Sequence, residues 1–590
     1  MSEENKEQIK YKQFILDPFQ VDAIHSIEKN HSVVVSAATG TGKTLIADYA
    51  IDKFMKLTKR VIYTAPIKAL SNQKYRDFKA EYGEENVGIM TGDVVQKPNA
   101  PLLIMTTEIY RNMLMTKDPI IDTISYVVFD EIHYMSDIER GTVWEESIIF
   151  SPTHIRFLCL SATIPNARIF ADWIASINKH PVDIVTNAKR AVPLEHFIYD
   201  VDYGVISIEH AHKLQLNHEM PDYYKLMRSH KKRGRNDEKP KMPKHYDLVN
   251  ALRSDNSLPC IFFVFSRDGC EEKARELAFK NDFLNNEQKH HVLQLFNQKV
   301  HEAYRQLESV HLLKNVLQRG IGIHHAGLLP ALKEVVELLF AEGLLKVLYA
   351  TETFAVGINM PAKTVCFNSL VKFDGRGFGF MRSRDYFQMA GRAGRRGIDL
   401  FGKSISLLER RSELPKIIDL VNSDSEPIIS QFQLGPNTVL NLINNHKPEE
   451  IKEILKKNFD YFIKRRDDEE IRMQARYSNL VKRLTKLDYI GYDGMLTPKG
   501  RFATKIYSNE LLVTELFCSD LYKSISDTDM CILVGAIVYE PRRNDEFFVP
   551  KKNDRFHQLV QKIMINDIIK KDLRRDNLKK IWFVVNRWAN

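Results

Sequence analysis

Between Ser32 and about Ala162 the chain alternates short apolar, β-branched runs with longer stretches of helical periodicity. The runs SVVVSA, RVIYTA, PLLIMTT, YVVFDEI and RFLCLSA show almost no polar alternation. A strand covered on both faces has no solvent side, so these runs predict strands of a parallel sheet sandwiched by helices. The pattern restarts at Cys260 with CIFFVFS, IGIHHA, KVLYATE, TVCFNS and GKSISLL. Two successive doubly wound α/β domains are the economical expectation. Between them, roughly 220–246, HKKRGRNDEKPKMPKH has no apolar periodicity and reads as a solvated loop, with a basic targeting or RNA-contacting patch as the alternative. After about Glu426 strands thin out. NLVKRLTKLDYIGYDGMLTPKGRFATKI predicts an amphipathic helix, a strand, a turn at Asp493-Gly494 and a second strand, which is a winged-helix pattern. From about Asn509 onward the pattern is helical.

Composition narrows this picture only a little. At 590 residues, 44% hydrophobic and 27% charged, the chain is too long for one core and has the make-up of folded domains. A net charge of +9 suits a polyanionic partner as well as many ordinary enzymes. The cysteines (Cys159, Cys260, Cys270, Cys366, Cys518, Cys531) include no CxxC pair, and several sit in apolar runs. They read as reduced core residues of a reducing compartment, not as a zinc site. The polar N-terminus MSEENKEQIKYK lacks a signal-peptide core, and MCILVGAIVY from Met530 is about half of a membrane span. A soluble intracellular protein is expected.

Two motifs carry chemistry. SAATGTGKT, Ser36–Thr44, follows a strand and opens a helix, the context that makes a phosphate-binding loop credible. Ala38, Thr39, Gly40, Thr41 and Gly42 would curl backbone N–H groups around phosphate oxygens. Lys43 would reach the β- and γ-phosphates of ATP, and Thr44 would ligate Mg²⁺. Ala37 stands where the strict pattern has glycine. The second motif is VVFDEIH, Val127–His133. Adjacent carboxylates at the end of a buried strand are costly unless a cation meets them. Beside a phosphate loop, Asp130 would hold Mg²⁺ through its water shell, and Glu131 would deprotonate the attacking water. A third stretch, QMAGRAGRRG, spaces Gln388, Arg392 and Arg395 by four and three residues, so a continuous helix would place them on one face. Arg396 falls to the flank, where a salt bridge or an RNA contact fits it better.

ATGTGKT, DEIH and SAT (Ser161–Thr163), in that order, resemble motifs I, II and III of the superfamily 2 DExH helicases. FILDPFQ resembles the adenine-reading segment, with Gln20 as the base contact. APIKALSNQ, MTGD and TTEIYRNML resemble motifs Ia, Ib and Ic; FVFSR resembles motif IV and ATETFAVGINMPA motif V. GIGIHHAGLLP, KVLYATETFAVGINMPAKTV, KFDG and QMAGRAGRRGID are similar to the superkiller-like branch, RNA helicases that feed exosome-type nucleases.

That resemblance implies two tandem RecA-like parallel-sheet domains (1–188 and 189–424), a winged helix (425–507) and a partial helical bundle (508–590). It implies ATP and Mg²⁺ as cofactors, with Gly357 and Asn359 also at the nucleotide. Arg392 and Arg395 would be arginine fingers, and Gln388 would couple His133 and the water to the second domain. Pro66, Lys68, Gly92, Thr107, Arg267 and Thr351 would grip single-stranded or partly duplex RNA without reading its sequence. KFDGRGFGFMRSRDY is either a strand-separating element or a surface loop. A monomer with 3′→5′ polarity, working with a 3′→5′ exoribonuclease complex in the cytoplasm or nucleus, completes what the family implies. The chain departs from the family at two places. FDYFIKRRDDEEIRMQARYSNLVKRL runs through the point where a long arch is usually inserted, and KKIWFVVNRWAN resembles a helix midway through the family's bundle. The latter fits a shortened member or a fragment. A DNA helicase of the related repair branch and a nucleic-acid scaffold with an inactive ATPase are the competing readings.

Overall fold

The computed structural model describes residues 9–217, 242–355, 360–373, 377–408, 410–423, 425–464, 467–518, 522–523, 525–539 and 554–573, with 578, 581–582 and 585. Gly357, Asn359 and nearly all of the basic stretch after residue 217 lie outside the described residues; its end, His245, begins the helix His245–Ser254.

A short hairpin of β1 (Lys10–Tyr11) and β2 (Phe14–Ile15) precedes the first large sheet. That sheet contains β3 (Ser32–Ala37), β4 (Arg60–Ala65), β5 (Val87–Met90), β6 (Val95–Gln96), β7 (Leu102–Thr106), β8 (Ile124–Phe129), β9 (Arg156–Ser161) and β10 (Val182–Asn187). Its order is β10-β3-β9-β8-β4-β7-β5-β6, parallel except for the β5–β6 pair. The second sheet contains β11 (Leu194–Asp200), β12 (Gly204–Ser207), β13 (Cys260–Phe263), β14 (Ile321–His324), β15 (Val347–Ala350), β16 (Thr364–Phe367) and, after a hairpin of β17 (Val371–Phe373) and β18 (Phe378–Phe380), β19 (Gly402–Leu407). Its order is β12-β11-β19-β16-β13-β15-β14, parallel except for the β11–β12 pair.

All ten runs expected as strands of the two α/β domains form strands. The unforeseen ones, β5, β6, β10, β11 and β12, lie toward the sheet margins, and several keep polar or half-exposed positions. Their sequences therefore lack the unbroken apolar signature of a strand buried on both faces.

Both sheets belong to one compact unit, Met1–Thr107, Thr123–Tyr134 and Thr153–Ile428. A second unit is assembled from Glu108–Asp122, Met135–Pro152 and Ile429–Asn590. In it the expected second strand of the winged-helix hairpin is replaced. The pairing shrinks to one antiparallel bridge, Ile490 to Leu496, and Pro498–Ala503 is a helix. Thr497 explains the change. Its hydroxyl accepts the Gly500 N–H at 3.0 Å, and Pro498 at the first helical position removes a donor that a ladder would need. The connection at the arch position is likewise short, with helix Phe459–Lys464 followed by helix Asp467–Lys486.

The helix Gly141–Ile149 carries two neighbouring buried carboxylates that tie this unit together. Glu146 accepts from Arg111 Nη1 at 3.1 Å and from Thr438 Oγ1 at 2.7 Å. Glu145 accepts from Ser430 Oγ at 2.8 Å and from the Phe459 N–H at 2.6 Å. Three chain segments thus meet on two side chains. Glu145 has no cation among these partners, and burial raises its pKa to about 7.

A carboxyl whose pKa is higher folded than unfolded loses stability as pH climbs from the unfolded value, near 4.5, through the folded one. The loss amounts to about 3 kcal/mol. Glu145→Gln keeps an acceptor oxygen and removes the ionisation. Its melting temperature should fall less than that of the parent between pH 5 and pH 8.5, a comparison that scanning fluorimetry makes directly.

Candidate functional site

Parallel strands place all their C-terminal ends on one edge of a sheet, and in open α/β sheets that edge is where ligands bind. In the first sheet the phosphate loop follows β3, Asp130 follows β8, and Ser161 closes β9 between them. These three strands are neighbours. Pro66, Gly92 and Thr107 follow β4, β5 and β7, the next three along. The second sheet is arranged differently. Arg267 and Thr351 follow β13 and β15 at the C-terminal edge, whereas the arginine-rich turn precedes β19 and pairs with Ala362 just before β16, at the opposite edge.

The loop over Ala38–Gly42 has the geometry expected of a phosphate cradle. Gly40 and Gly42 both adopt φ +82°, which turns consecutive N–H groups the same way. Lys43 Nζ donates to the carbonyls of Ala37 at 2.8 Å and Ala38 at 3.1 Å. Desolvation lowers its pKa, while Glu131 and Asp130 oppose that shift. Thr44 opens the helix Thr44–Lys56. Gln20 is buried and donates to the Gly42 carbonyl at 3.0 Å, and its own carbonyl accepts the Asp17 N–H at 2.8 Å. The Gln20 segment is therefore fastened to the loop's rim.

Across this loop, desolvation and the neighbouring Glu131 charge raise the Asp130 pKa, and the Tyr63 hydroxyl donates to Asp130 Oδ2. Glu131 sits at φ +59°, a left-handed conformation that costs a non-glycine residue about 1–3 kcal/mol. The strained turn presents both carboxylates at the strand end. His133 is buried with Nδ1 3.5 Å from Glu131 Oε2 and from Ser161 Oγ. Burial, with Arg384 and Lys43 nearby, drives its pKa down to about 3.

The arginine segment departs from the expected register. Its helix is Ser383–Ala390 and stops before Arg392, so Gln388, Arg392 and Arg395 do not share one helical face. Residues 391–394 form a turn instead, with the Arg392 carbonyl and the Gly394 N–H paired to Ala362 at 2.9 and 2.8 Å. Two glycines in four residues favour the turn over further helix. The glycine at 391 has a further role. A side chain there would stand 3.1 Å from Thr39, so its absence lets the turn close onto the phosphate loop. Arg392 donates to the Ala355 carbonyl, and its field acts on Lys43 while Asp130 and Glu131 act on it. Arg395 is held elsewhere, with Nε and Nη2 on Asp399 at 2.8 and 3.0 Å. Arg396 takes the salt-bridge option, reaching Asp17 Oδ1 at 3.0 Å beside Gly42. Gln388 makes no hydrogen bond to His133; the link from this helix is Arg384 Nη1 to the His133 carbonyl at 3.3 Å.

Three side-chain nitrogens in this cleft, Arg392 Nε, His133 Nε2 and Gln388 Nε2, are buried with no protein partner. Such groups fit a polyphosphate and its attacking water. Thr44 and Asp130 supply the hard oxygens that suit Mg²⁺, and no cluster of three metal-ligating side chains exists among the described residues. That is the pattern for a cation held partly by substrate phosphates. Of the nucleic-acid candidates, Lys68 and Gly92 come together, Lys68 Nζ lying 3.4 Å from the position of a Cβ at 92 and 2.7 Å from Asp93 Oδ2. Pro66 is buried, and Thr107 has a buried hydroxyl with no partner. Arg267 borders Gly327 and His325. Thr351 Oγ1 meets Thr353 Oγ1 at 3.0 Å.

Three family models match in succession: DEAD/DEAH box helicase over residues 17–170, helicase conserved C-terminal domain over 272–397, and DSHCT (NUC185) domain over 493–590. The chain belongs to the superkiller-like DExH helicases. It is 42% identical over 73% of its length to the ATP-dependent RNA helicase mtr4 of Schizosaccharomyces pombe, covering 40% of that protein. To the exosome RNA helicase MTR4 of Homo sapiens it is 42% identical, over 76% of this chain and 44% of that one. The human superkiller complex protein 2 is 40% identical over 81% of this chain and 40% of its own. This DExH chain thus spans less than half the length of the curated relatives it matches.

Sequence reasoning missed Arg190, Arg384 and Tyr63, and it gave Arg396 a salt bridge without its partner Asp17. Each of the three missed residues is an isolated polar residue whose importance comes from where the two sheets place it. A lone arginine in a linker carries no periodic or motif signal.

His133 should remain neutral across the working range. Its proton uptake below the unfolded value near 6.5 is withheld until pH about 3, so it destabilises the fold progressively as pH falls through that interval. An imidazole NMR titration should show this histidine unprotonated at pH 5, where a solvent-exposed histidine is charged.

Proposed function

We propose that the protein is an ATP-dependent RNA helicase or translocase in which ATP is hydrolysed between the two sheet domains. The observation that carries this reading is the closure of the 391–394 turn onto the phosphate loop at Thr39, with Arg392 electrostatically linked to Lys43, Asp130 and Glu131. We keep the domain limits 1–188, 189–424, 425–507 and 508–590 as part of the proposal.

In this mechanism Lys43 exchanges its carbonyl partners for phosphate oxygens. Mg²⁺, when held by Thr44 and Asp130, supplies neutralising charge at the phosphates. Glu131 orients a water and takes its proton, and neutral His133 offers Nε2 as a hydrogen-bonding site beside it. Arg392 stabilises charge developing on the transferred phosphoryl group, a role worth roughly 10³–10⁵ in rate in other NTPases. Arg395 has to leave Asp399 or share it to join in. Lys68, Gly92 and Thr107 on the other half of the first sheet's edge, with Arg267 and Thr351 at the C-terminal edge of the second, would hold the sugar–phosphate chain. Alternating grip as the cleft opens and closes would then move the strand, with β17–β18 and its exposed Phe373 and Phe378 as the separating wedge. The relatives named as RNA helicases support RNA over DNA, and those named for the exosome and the superkiller complex support a role beside a 3′→5′ nuclease. Monomeric action and a cytoplasmic or nuclear location complete the proposal. Six free thiols, four of them buried, suit a reducing compartment.

A strand-displacement assay with RNA and DNA duplexes bearing 3′ or 5′ overhangs tests it. RNA-stimulated ATP hydrolysis and displacement from 3′ overhangs are expected; stimulation by DNA alone would favour the repair-branch alternative. Glu131→Gln should retain ATP and RNA binding and lose turnover by a factor of about 10² or more. Normal turnover in that variant would remove Glu131 as the base.

A further inference from the structure

Arg190 lies in the linker between β10 and β11, outside every motif that the resemblance supplies. Its guanidinium donates to three carbonyls: Nε to Val192 at 3.1 Å, and Nη2 to Gly391 at 3.2 Å and Ala393 at 2.9 Å. Two of these acceptors flank Arg392. No salt bridge forms at Arg190 among the described residues, and desolvation alone lowers its pKa. The β10 end of the same linker is attached to the phosphate loop, because the Asn187 carbonyl accepts the Ala38 N–H at 2.9 Å. The Val192 end lies against Gly394, where a Cβ would stand 2.6 Å from Val192 Cγ1.

A largely desolvated cation satisfied only by carbonyls is an expensive arrangement unless it does something a neutral donor cannot. Here it gathers the outward carbonyls of a turn that has no helix to satisfy them. It also adds a third positive charge to a cleft that already contains Lys43 and Arg392, and its field is felt at Lys43. A lysine could not do this. An ammonium is a point donor, whereas the planar fork reaches the linker carbonyl and both turn carbonyls at once.

We infer that Arg190 is a positioning residue of the hydrolysis site: it locks the 391–393 turn against the phosphate loop and so fixes Arg392 toward the terminal phosphate of a bound nucleoside triphosphate. This rests on the cleft binding ATP as proposed above. It predicts a residue that discriminates triphosphate from diphosphate, since only the former reaches Arg392.

The test compares wild type, Arg190→Ala, Arg190→Lys and Arg392→Ala in the full chain. A fluorescent diphosphate and a non-hydrolysable fluorescent triphosphate measure binding, and steady-state assays with RNA measure turnover. For Arg190→Ala we expect diphosphate affinity within about twofold of wild type and the preference for triphosphate lost. We expect kcat to fall on the order of 10²-fold, as for a displaced catalytic group. Arg190→Lys should resemble the alanine variant, Arg190→Ala should add little to Arg392→Ala, and free guanidinium should restore part of the lost kcat. Unchanged triphosphate preference and kcat in Arg190→Ala would overturn the inference. So would full restoration by lysine, or a kcat loss accompanied by an equal loss of diphosphate affinity. Wild type separates the two levels of the argument: if it binds neither nucleotide, the ATPase reading fails, and the assignment of Arg190 fails with it. If wild type binds and turns over normally while the variants match it, only Arg190 is misassigned.

Discussion

Everything at the cleft depends on keeping five charged groups close together where water cannot fully screen them. Lys43 and Arg392 are both pushed toward neutrality by desolvation, and Asp130 is pushed the same way from the opposite side. Each set is made tolerable by the other. The attraction across the cleft offsets part of a desolvation cost that would reach several kcal/mol per isolated ion. The balance is incomplete, because Arg190 adds charge without a carboxylate. A cleft with surplus positive charge, glycine-shaped N–H groups and unpartnered buried nitrogens is preorganised for an anion with several oxygens. The same surplus explains why the carbonyls of Ala37, Ala38, Val192, Ala355, Gly391 and Ala393 all accept from cations here.

The sheets convert that local balance into a longer-range device. Because strand order interleaves the chain, residues after β3, β9 and β8 line one half of the first edge, and residues after β4, β7 and β5 line the other. In the second sheet the arginine turn lies at the N-terminal edge, before β19, and Arg267 and Thr351 lie at the C-terminal edge, after β13 and β15. Rigid, buried parallel strands therefore connect the two halves of the first edge and the two opposite edges of the second sheet. A change in how the 391–394 turn meets the phosphate loop must move the rest of the second sheet with it, including Arg267 and Thr351. The Arg76–Glu337 ion pair, 2.8 Å long, links helices of the two domains, and Glu337 also holds His324 at the end of β14.

Much of this was legible in residue order because the central strands are buried on both faces and because phosphate loops need glycine at defined offsets. Lys43 stands at the start of the helix after β3 and Asp130 directly follows β8, the elements that the residue pattern predicts. What was illegible falls into two physical classes. Marginal strands such as β10 and β12 carry half-exposed polar positions, so periodicity under-reports them. Partners such as Tyr63 for Asp130, Asp399 for Arg395 or Arg384 for the His133 carbonyl are chosen by packing, and nothing in their own neighbourhoods announces it. The second strand expected near Thr497 failed for a third reason: a hydroxyl cap followed by proline is a stronger local instruction than alternation.

In the arginine–glycine segment the local geometry differs from the one its residue spacing implies. Spacing of four and three residues argues for one helical face, yet the helix has already ended at Ala390. Arg392 reaches the cleft because the turn after the helix folds back onto Ala362 and Thr39, not because it continues the helix. A helix would have fixed Arg392 and Arg395 as a rigid pair. A turn lets them diverge, one toward the carboxylates of the cleft and one onto Asp399, and Arg396 pairs instead with Asp17 beside the Gln20 segment. Three different partners, the cleft carboxylates, Asp399 and Asp17, are thus divided among three arginines. A turn braced from outside by Arg190 can supply that division, and a regular helix cannot.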